Sequence, residues 1–397
     1  MKMFDEHSFD SIGLIDTHVH RFHPNRCGGF YTVAGGNIKG PDQDKHGKQT
    51  ILYNMVIEEL RSEFSMSEDA TADEIEAERN RRWVSDPFGY SRSLLDPQNV
   101  EMYCLEIGSP YGDPAYTDKE IADFHTVISE DKTCSIVRID RILDDVLAQK
   151  LSFTEFSDCV HQDLRNLIIK EKTVGLKSFF ACNGGLNVEI ASKQDAEWSY
   201  EAIIRNPDDI VAKKKLYNYM TLDCMDEAAE FNLPLQIHTG AGGGTYLDFR
   251  TQNPVNLIDF LKDKRIFNRV KVVLLHGGHP YEEETGYLVS QFSNVYADFS
   301  GTFYLCSVKG LERMAALMEK APLDKIMYGS DGVGMPELSW FAYRHFRRQL
   351  PKLLNSFIEG GFMTQKRAVR VAGMIMRENA FGCYENIRKY LKYGKEA

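Results

Sequence analysis

Two histidines near the start of the chain have the spacing of a metal-binding pair. His18 and His20 end the segment 14–20, two positions apart. Side chains two positions apart on a β-strand point to the same face, so both imidazoles can bind one divalent ion. One such pair is weak evidence by itself, because a histidine at a strand end is often a buried structural residue.

Four more residues of suitable chemistry follow in later apolar segments. They are Lys177, His238, His276 and Asp331. A barrel of parallel strands gathers its active site at the C-terminal ends of those strands. Burial in the core would explain each residue alone, but it does not explain their joint placement at strand ends. Together they predict a metal centre.

Eight short β-branched or aromatic segments, separated by helical patterns, must position these residues. We predict strands over Ile12–Val19, Val100–Ile107, Cys134–Ile139, Val174–Ala181, Leu233–Thr239, Val270–His276, Asn294–Ser300 and Lys325–Asp331. Strands that alternate with helices form a parallel sheet, and eight such units can close into a TIM (β/α)8 barrel. A doubly wound open sheet is the alternative, although no glycine-rich dinucleotide fingerprint follows the first strand.

The connection between the first and second strands is longer than a barrel needs. A plain barrel takes roughly 250 residues, whereas this chain has 397. We treat residues 1–397 as a single domain and expect a helical insertion over about 28–95, with helices near Ile51–Phe64 and Ala72–Val84. Such a connection leaves the C-terminal face of the barrel, so the insertion is predicted to form a cap over the pocket. A peripheral decoration or an oligomer contact is the alternative.

The composition excludes several classes of protein. The chain has 47 basic and 58 acidic residues, a net charge of −11, which argues against a nucleic-acid-binding protein. Its mean hydropathy is −0.37, and it has no apolar run of about 18 residues that could span a membrane. Without an apolar leader segment or a Cys-x-x-Cys pair, a cytoplasmic protein with reduced thiols is expected. The expected partner is a small-molecule substrate. A homodimer is also expected, because homodimers are the commonest oligomers of soluble proteins.

The order of these residues resembles the amidohydrolase superfamily. Its pattern is a His-x-His pair on strand one, a lysine on some fourth strands, histidines on strands five and six, and an aspartate on strand eight. The narrower likeness is to the amidohydrolase-2 group, which includes the FluG-type amidohydrolase domain and aminocarboxymuconate semialdehyde decarboxylase. It is carried by the segments 175–178, 234–240, 273–281, 285–288 and 377–380.

The resemblance implies a ligand set and catalytic roles. His18, His20, His238 and Asp331 would hold a divalent metal, with Zn²⁺ expected and Mn²⁺ or Fe²⁺ as alternatives. Asp331 and His276 would be catalytic and would orient or deprotonate the attacking water. If two ions bind, His276 would also be a ligand and Lys177 would bridge the ions as a carbamate. Alternatively, Lys177 would remain an ammonium group that pairs with a substrate carboxylate.

Three residues outside this pattern are candidate substrate contacts. Arg138 and Arg141 follow the third strand and could clamp a carboxylate, and His279 lies in the turn after the sixth strand. Surface salt bridges for the arginines and a solvent-facing loop position for the histidine are the alternatives.

The predicted function is that of a metal-dependent hydrolase. It would use a metal-activated water to cleave an amide or other C–N bond of a small carboxylate-bearing molecule. The alternative is a metal-dependent non-oxidative decarboxylase of an aromatic or unsaturated carboxylic acid. The two share the same ligand pattern, so the sequence leaves both open.

Overall fold

Eight parallel strands form one sheet in chain order in the computed structural model. The structure describes residues 3–23, 40–108, 118–129, 131–242, 247–302 and 307–391. The strands are β1 (Leu14–His20), β2 (Val100–Ile107), β3 (Thr133–Arg138), β4 (Thr173–Ser178), β5 (Leu235–Ile237), β6 (Val272–Leu274), β7 (Val295–Asp298) and β8 (Ile326–Met327).

Backbone hydrogen bonds bring the two edges of this sheet together. The amide of Asp331 donates to the carbonyl of His18 at 2.9 Å, and the amide of His20 donates to the carbonyl of Gly332 at 2.9 Å. The segment after β8 therefore lies against β1. The predicted (β/α)8 barrel is confirmed, and the open doubly wound sheet is wrong.

Helices follow each strand and surround the barrel. In the part of the chain that the structure describes they are α1 (Gln43–Gly47), α2 (Ile51–Glu63), α3 (Ala72–Ser85), α4 (Pro87–Leu95), α5 (Asp118–Ile128), α6 (Ile139–Leu147), α7 (Phe153–Lys170), α8 (Lys193–Arg205), α9 (Ile210–Asp223), α10 (Met225–Glu230), α11 (Ile258–Lys262), α12 (Glu282–Gln291), α13 (Gly310–Lys320), α14 (Pro336–Glu359), α15 (Gln365–Gly373) and α16 (Asn379–Cys383). None of the described helices is long and apolar enough to cross a membrane.

The last four strands end earlier than the apolar pattern predicts. The sixth predicted strand runs to His276 and the eighth to Asp331, but β6 ends at Leu274 and β8 at Met327. The backbone of His276 has a φ of 66° and that of Asp331 a φ of 57°. Both values lie in the left-handed region, which ends an extended strand and is uncommon outside glycine. The two predicted catalytic residues therefore sit on sharp bends just beyond the strands.

Helices α1 to α4 lie between β1 and β2, in the region of the predicted insertion. Local sequence explains where two of them begin, since Thr71 and Glu74 form a capping box at α3 and Asp86 caps α4. The insertion packs against α14, the helix after β8, through a buried ion pair between Arg79 and Glu337. Its role as a cap over the pocket stays a prediction, and its segment 28–39 lies outside the described residues.

Candidate metal centre

The predicted ligands on β1 face the carboxylate that follows β8. The Nε2 atoms of His18 and His20 each lie 3.3 Å from Oδ1 of Asp331. His18 is fully buried, and only 12% of the His20 side chain is exposed. The backbone bonds between β1 and the 331–332 segment fix this arrangement. Three residues from opposite ends of the chain thus converge at the C-terminal end of the barrel.

Asp16, the buried carboxylate deeper in β1, holds the segment that carries Asp331. It accepts hydrogen bonds from the amide and hydroxyl of Ser330 at 2.9 and 2.5 Å, and from the hydroxyl of Tyr343 at 2.6 Å. Burial raises the pKa of Asp16 to about 6, against the opposing effect of these hydrogen bonds. Asp16 therefore positions the backbone next to Asp331.

His276 links the β5 and β6 sides of the centre to Asp331. Its Nε2 lies 2.9 Å from Nδ1 of His238, and its Nδ1 lies 3.7 Å from Oδ2 of Asp331. The side chains of Asp298 and Ser300 hold it in place, because Asp298 accepts from its amide at 3.0 Å and the Ser300 hydroxyl lies 3.1 Å from its Nδ1. These contacts fix both the backbone bend and the ring.

One ring nitrogen of His238 makes no hydrogen bond within the part of the chain that the structure describes. This nitrogen is Nε2, and it is buried. The ring of Phe179 packs edge-on against it, with 5.0 Å between centroids. Gly242, at a φ of 134°, itself approaches the ring closely, since a Cβ there would lie 2.8 Å from Cε1 of His238. The arrangement leaves Nε2 available to a ligand.

The donor set fits a divalent metal ion. The ligand atoms of His18, His276 and Asp331 all lie within 4.8 Å of one another, and all three residues are buried. Burial lowers the pKa of His18 to about 3, with Lys177 adding to the effect, and burial lowers the pKa of His276 to about 4. Both imidazoles are therefore neutral near pH 7, which is the form that binds metals. With the unpartnered His238 nitrogen, the described residues offer nitrogen and oxygen donors typical of such a site.

Asp331 is ionised in this setting. Burial alone would raise the pKa of its carboxyl, but His276 and the hydrogen bonds with His18 and His20 hold that pKa well below its usual range. A carboxylate surrounded by imidazoles can serve as a metal ligand or as a proton acceptor. Both roles are open to Asp331 from the same position.

Glu106 is a site residue that the motif pattern does not indicate. It lies near the C-terminal end of β2 and is fully buried, with Oε2 2.8 Å from Nδ1 of His20 and 4.0 Å from Nζ of Lys177. Burial would raise the pKa of Glu106, but the His20 contact and the charge of Lys177 outweigh it, so the pKa lies below its ordinary value. One sequence feature could have indicated Glu106. It is a charged residue on the same strand face as the core residues Met102 and Cys104.

Two cationic side chains line the wall next to Glu106. Lys177 is 3% exposed, and its Nζ lies 3.3 Å from Nε2 of His18. Its Cα pairs in register with that of Arg138 on β3, which is also buried and lies over the ring of Phe179 at 4.7 Å. Burial lowers the pKa of Lys177 against the opposing charge of Glu106. The wall can attract an anionic ligand.

The structure places Arg141 and His279 outside this group of contacts. Arg141 lies on α6, where its Nε pairs with Asp145 at 2.9 Å and 37% of its side chain is exposed. Nδ1 of His279 lies 3.0 Å from Oε1 of Glu282, and Arg313 contacts the same ring. Both residues have carboxylate partners on neighbouring turns, so their predicted contacts with a substrate stay predictions.

Comparison with known proteins agrees with this fold. Residues 208–360 match the family model described as Amidohydrolase, and they include His238, His276 and Asp331. The chain is 27% identical over 297 residues to Protein fluG of Emericella nidulans, an alignment that covers 68% of this chain and 34% of that protein. This chain therefore spans about one third of the length of that relative.

The fold and the family match point in the same direction. The chain is a (β/α)8 barrel, and its residues 208–360 match the Amidohydrolase family model. The resemblance carried by the strand-end residues is confirmed. His18, His20 and Lys177 lie outside the matched region but inside the same barrel.

Solved structures show how widely this fold is shared. A protein of Lactobacillus casei ATCC 334 described as a metal-dependent hydrolase has a TM-score of 0.82 at 22% identity, covering 98% of this chain and 99% of its own. A glucuronate isomerase of Caulobacter crescentus has a TM-score of 0.67 at 13% identity, over 95% and 92% of the two chains. A uronate isomerase of Thermotoga maritima has a TM-score of 0.67 at 15% identity, over 96% and 98%. At these identities the likeness concerns the fold.

Proposed function

We propose that the protein is a metal-dependent hydrolase that cleaves an amide or another C–N bond of a small carboxylate-bearing molecule. The observation that carries this proposal is the buried group of His18, His276 and Asp331, whose ligand atoms lie within 4.8 Å of one another. The family match supports it, because the amidohydrolase family generally uses a divalent metal.

The metal ligands would come from both sides of the barrel. His18, His20, His238 and Asp331 would hold the ion, and the ligand set would extend to Lys177 and His276 if a second ion binds. Zn²⁺ is the expected metal, since imidazole nitrogen and carboxylate oxygen are common zinc ligands, and Mn²⁺ or Fe²⁺ are alternatives. When bound, such an ion lowers the pKa of water and polarises a carbonyl group.

His276 and Asp331 would move the protons of the reaction. His276 is neutral near pH 7, because burial lowers its pKa to about 4, so one ring nitrogen can accept a proton. The ionised Asp331 has Oδ2 3.7 Å from Nδ1 of His276. The pair can therefore take a proton from the attacking water and return it to the departing nitrogen.

Arg138 and Lys177 would bind the carboxylate of the substrate. Both are buried next to the metal centre, and their strands hold them in register. A guanidinium can bind a carboxylate through two parallel hydrogen bonds, which also fixes the orientation of the substrate. Arg141 and His279 remain proposed contacts that would have to exchange Asp145 and Glu282 for a substrate.

A product assay tests the proposed reaction. Purified protein loaded with Zn²⁺ would be incubated with N-acyl amino acids, aromatic carboxylic acids and uronic acids. We expect release of a free amine from an N-acyl amino acid, and loss of that release in Asp331→Asn at an unchanged melting temperature. Release of carbon dioxide from an aromatic acid would instead establish the decarboxylase alternative. Conversion of a uronic acid into its keto isomer would likewise overturn hydrolysis.

A further inference from the structure

We propose that Glu106 is a positioning residue that orients His20 and thereby sets the affinity of the centre for its metal ion. This inference rests on the metal-binding part of the proposed function. Glu106 lies on β2, outside the residues that match the amidohydrolase family. Glu106 is not one of the predicted metal ligands, and its role is inferred from its contacts.

The two nitrogens of His20 face opposite partners. Nε2 lies 3.3 Å from Oδ1 of Asp331, on the side of the centre, and Nδ1 lies 2.8 Å from Oε2 of Glu106. The contact is a close approach of the two atoms without the alignment of a full hydrogen bond. Because a carboxylate oxygen attracts an N–H group and repels a nitrogen lone pair, the contact favours the ring form with its hydrogen on Nδ1. The lone pair then belongs to Nε2, which faces Asp331. Glu106 thus selects the nitrogen that can bind an ion.

The position of Glu106 is set by the backbone. The Cα of His20 pairs in register with that of Glu106 between β1 and β2. Its carboxylate therefore meets the His20 ring without help from a mobile loop. Carboxylates that accept from a ligating histidine raise the affinity of metal sites, and their loss typically weakens binding about 10- to 100-fold.

A structural ion pair does not account well for this carboxylate. Glu106 is fully buried next to the charges of Lys177 and Arg138, and neither of its oxygens completes a hydrogen bond with a described residue. A buried charge without hydrogen bonds costs stability even when cations lie nearby. The same strand face carries the core residues Met102 and Cys104, where an apolar side chain would pack at lower cost. A function at His20 explains why a charge is kept there.

A direct role as a ligand fits the geometry less well. Glu106 contacts the edge of the His20 ring opposite the edge that faces Asp331. Its carboxylate is not part of the described group, His18, His276 and Asp331, whose ligand atoms could hold one ion. The number of ions per chain separates the two roles, because the loss of a positioning residue weakens binding without removing an ion at saturation.

Matched glutamine variants on one strand test the inference. Glu106→Gln keeps the shape and removes the charge, and Glu101→Gln does the same at a partly exposed glutamate of β2 that pairs with Arg377 at 2.8 Å. The Zn²⁺ dissociation constant is measured by competition with a chromogenic chelator, and ions per chain by plasma mass spectrometry. We expect Glu106→Gln to bind about 10- to 100-fold more weakly at unchanged saturation, and Glu101→Gln to stay within about twofold of the wild type.

A second readout needs no metal and no activity. In metal-free protein labelled with ¹⁵N-histidine, at a pH high enough for the His20 ring to be neutral, His20 should carry its hydrogen on Nδ1, with His20→Gln identifying its signals. If Glu106→Gln fails to fold, Glu106→Asp replaces it in the binding experiment, with a smaller loss of affinity expected. Wild-type His20 with its hydrogen on Nε2, equal affinities of the Glu106 and Glu101 variants, or the loss of one ion per chain would each overturn the inference. A wild-type protein that binds no divalent ion would refute the proposed function instead, and the NMR result would still decide how Glu106 acts on His20.

Discussion

Asp331 is the residue on which both edges of the sheet meet. Its amide bonds to the carbonyl of His18, and its carboxylate lies 3.3 Å from the Nε2 atoms of His18 and His20. Its φ of 57° belongs to the left-handed region, as does that of His276 at 66°. Such conformations cost about 1–3 kcal/mol each and persist where the surrounding structure enforces them. The bonds of Asp16 and Asp298 to neighbouring backbone provide that enforcement.

Arg138 and Arg141 offer a paired test of substrate binding. Arg138 is buried beside the centre, whereas Arg141 pairs with Asp145 on α6. We expect Arg138→Met to raise KM about 10- to 100-fold with a small change in kcat, since a hydrogen bond to a charged group contributes about 1.5–3 kcal/mol. Arg141→Met should raise KM by a smaller factor than Arg138→Met, because Arg141 would first have to give up its exposed ion pair with Asp145. Steady-state kinetics on an accepted substrate checks both, and a larger effect at Arg141 would reverse the assignment.

Replacing Lys177 tests whether the centre binds one metal ion or two. A carbamate on Lys177 would place a second negative charge close to Glu106, whose Oε2 lies 4.0 Å from Nζ, and like charges at that distance repel. We therefore expect Lys177→Met to keep the metal content of the wild type and to raise KM. Metal content measured by plasma mass spectrometry together with kinetics decides the matter. Loss of half of the ions would show that Lys177 bridges two of them.

At the scale of elements, the insertion is anchored on the helix that follows the Asp331 segment. Arg79 of α3 and Glu337 of α14 form an ion pair in which both side chains are fully buried, and the hydroxyl of Tyr90 on α4 donates to Glu337 at 2.9 Å. Glu337 follows Asp331 closely in the chain. The insertion therefore contacts the part of the barrel that carries the centre.

A double-mutant cycle measures this anchor. We expect Glu337→Gln to lower the free energy of unfolding by about 3–5 kcal/mol, because it removes the carboxylate that pairs with the buried Arg79 charge. Replacing both residues, by Arg79→Met and Glu337→Leu, should restore much of that loss. Urea unfolding of the wild type, Glu337→Gln, Glu337→Leu, Arg79→Met and the double variant provides the values. A loss below about 1 kcal/mol in the single variant would mean that solvent reaches the pair.

His161 on α7 makes a pH-dependent link to α9 and α10. Its ring nitrogens lie 3.1 Å from carboxylate oxygens of Asp223 and of Glu227, and the hydrogen bonds with Asp223 and then Glu227 raise the pKa of His161 to about 10. A histidine with a raised pKa stabilises the fold fully below its unfolded pKa of about 6.5. That contribution falls as the pH rises and is lost above about pH 10.

Stability measurements at two pH values test this link. At pH 6, His161→Gln should lower the free energy of unfolding by about 1 kcal/mol after allowance for solvent screening, and the difference should shrink towards pH 10. Gln162→Ala, at the next and exposed position of α7, should have the same effect at both pH values. An equal loss at pH 6 and pH 10 in His161→Gln would show that packing, not charge, is responsible.

The apolar pattern predicts the strands better than their ends. All eight strands lie where the β-branched segments predict them, because alternation of apolar segments with helical patterns is a strong signal for this fold. The predicted ends of β6 and β8 are wrong, because the chain bends at His276 and Asp331. Hydrogen bonds with distant residues, such as Asp298 and His18, hold these bends. Contacts of that kind leave no trace in a local pattern.

At the scale of the whole molecule, the same reasoning explains which site residues the sequence reveals. His18, His20 and Asp331 lie in contact with one another, because a barrel gathers the C-terminal ends of its strands. Glu106 is not predicted from the sequence, because a single glutamate in a strand forms no motif with a second residue at a fixed spacing. Its contact with His20 depends on the register between β1 and β2. Arg141 was a candidate by position alone, and its outward placement on α6 follows from helix geometry that begins one residue after β3.

The central claim of this account is that the barrel holds a divalent metal through His18. The most direct measurement is metal content per chain by plasma mass spectrometry, on protein purified without chelator or affinity-tag metal. Wild type, His18→Ala and His46→Ala, at an exposed position of α1, would be compared. We predict at least one divalent ion per chain in the wild type and in His46→Ala, and a large loss in His18→Ala. A wild-type protein without metal, even after reconstitution with Zn²⁺, would contradict the claim.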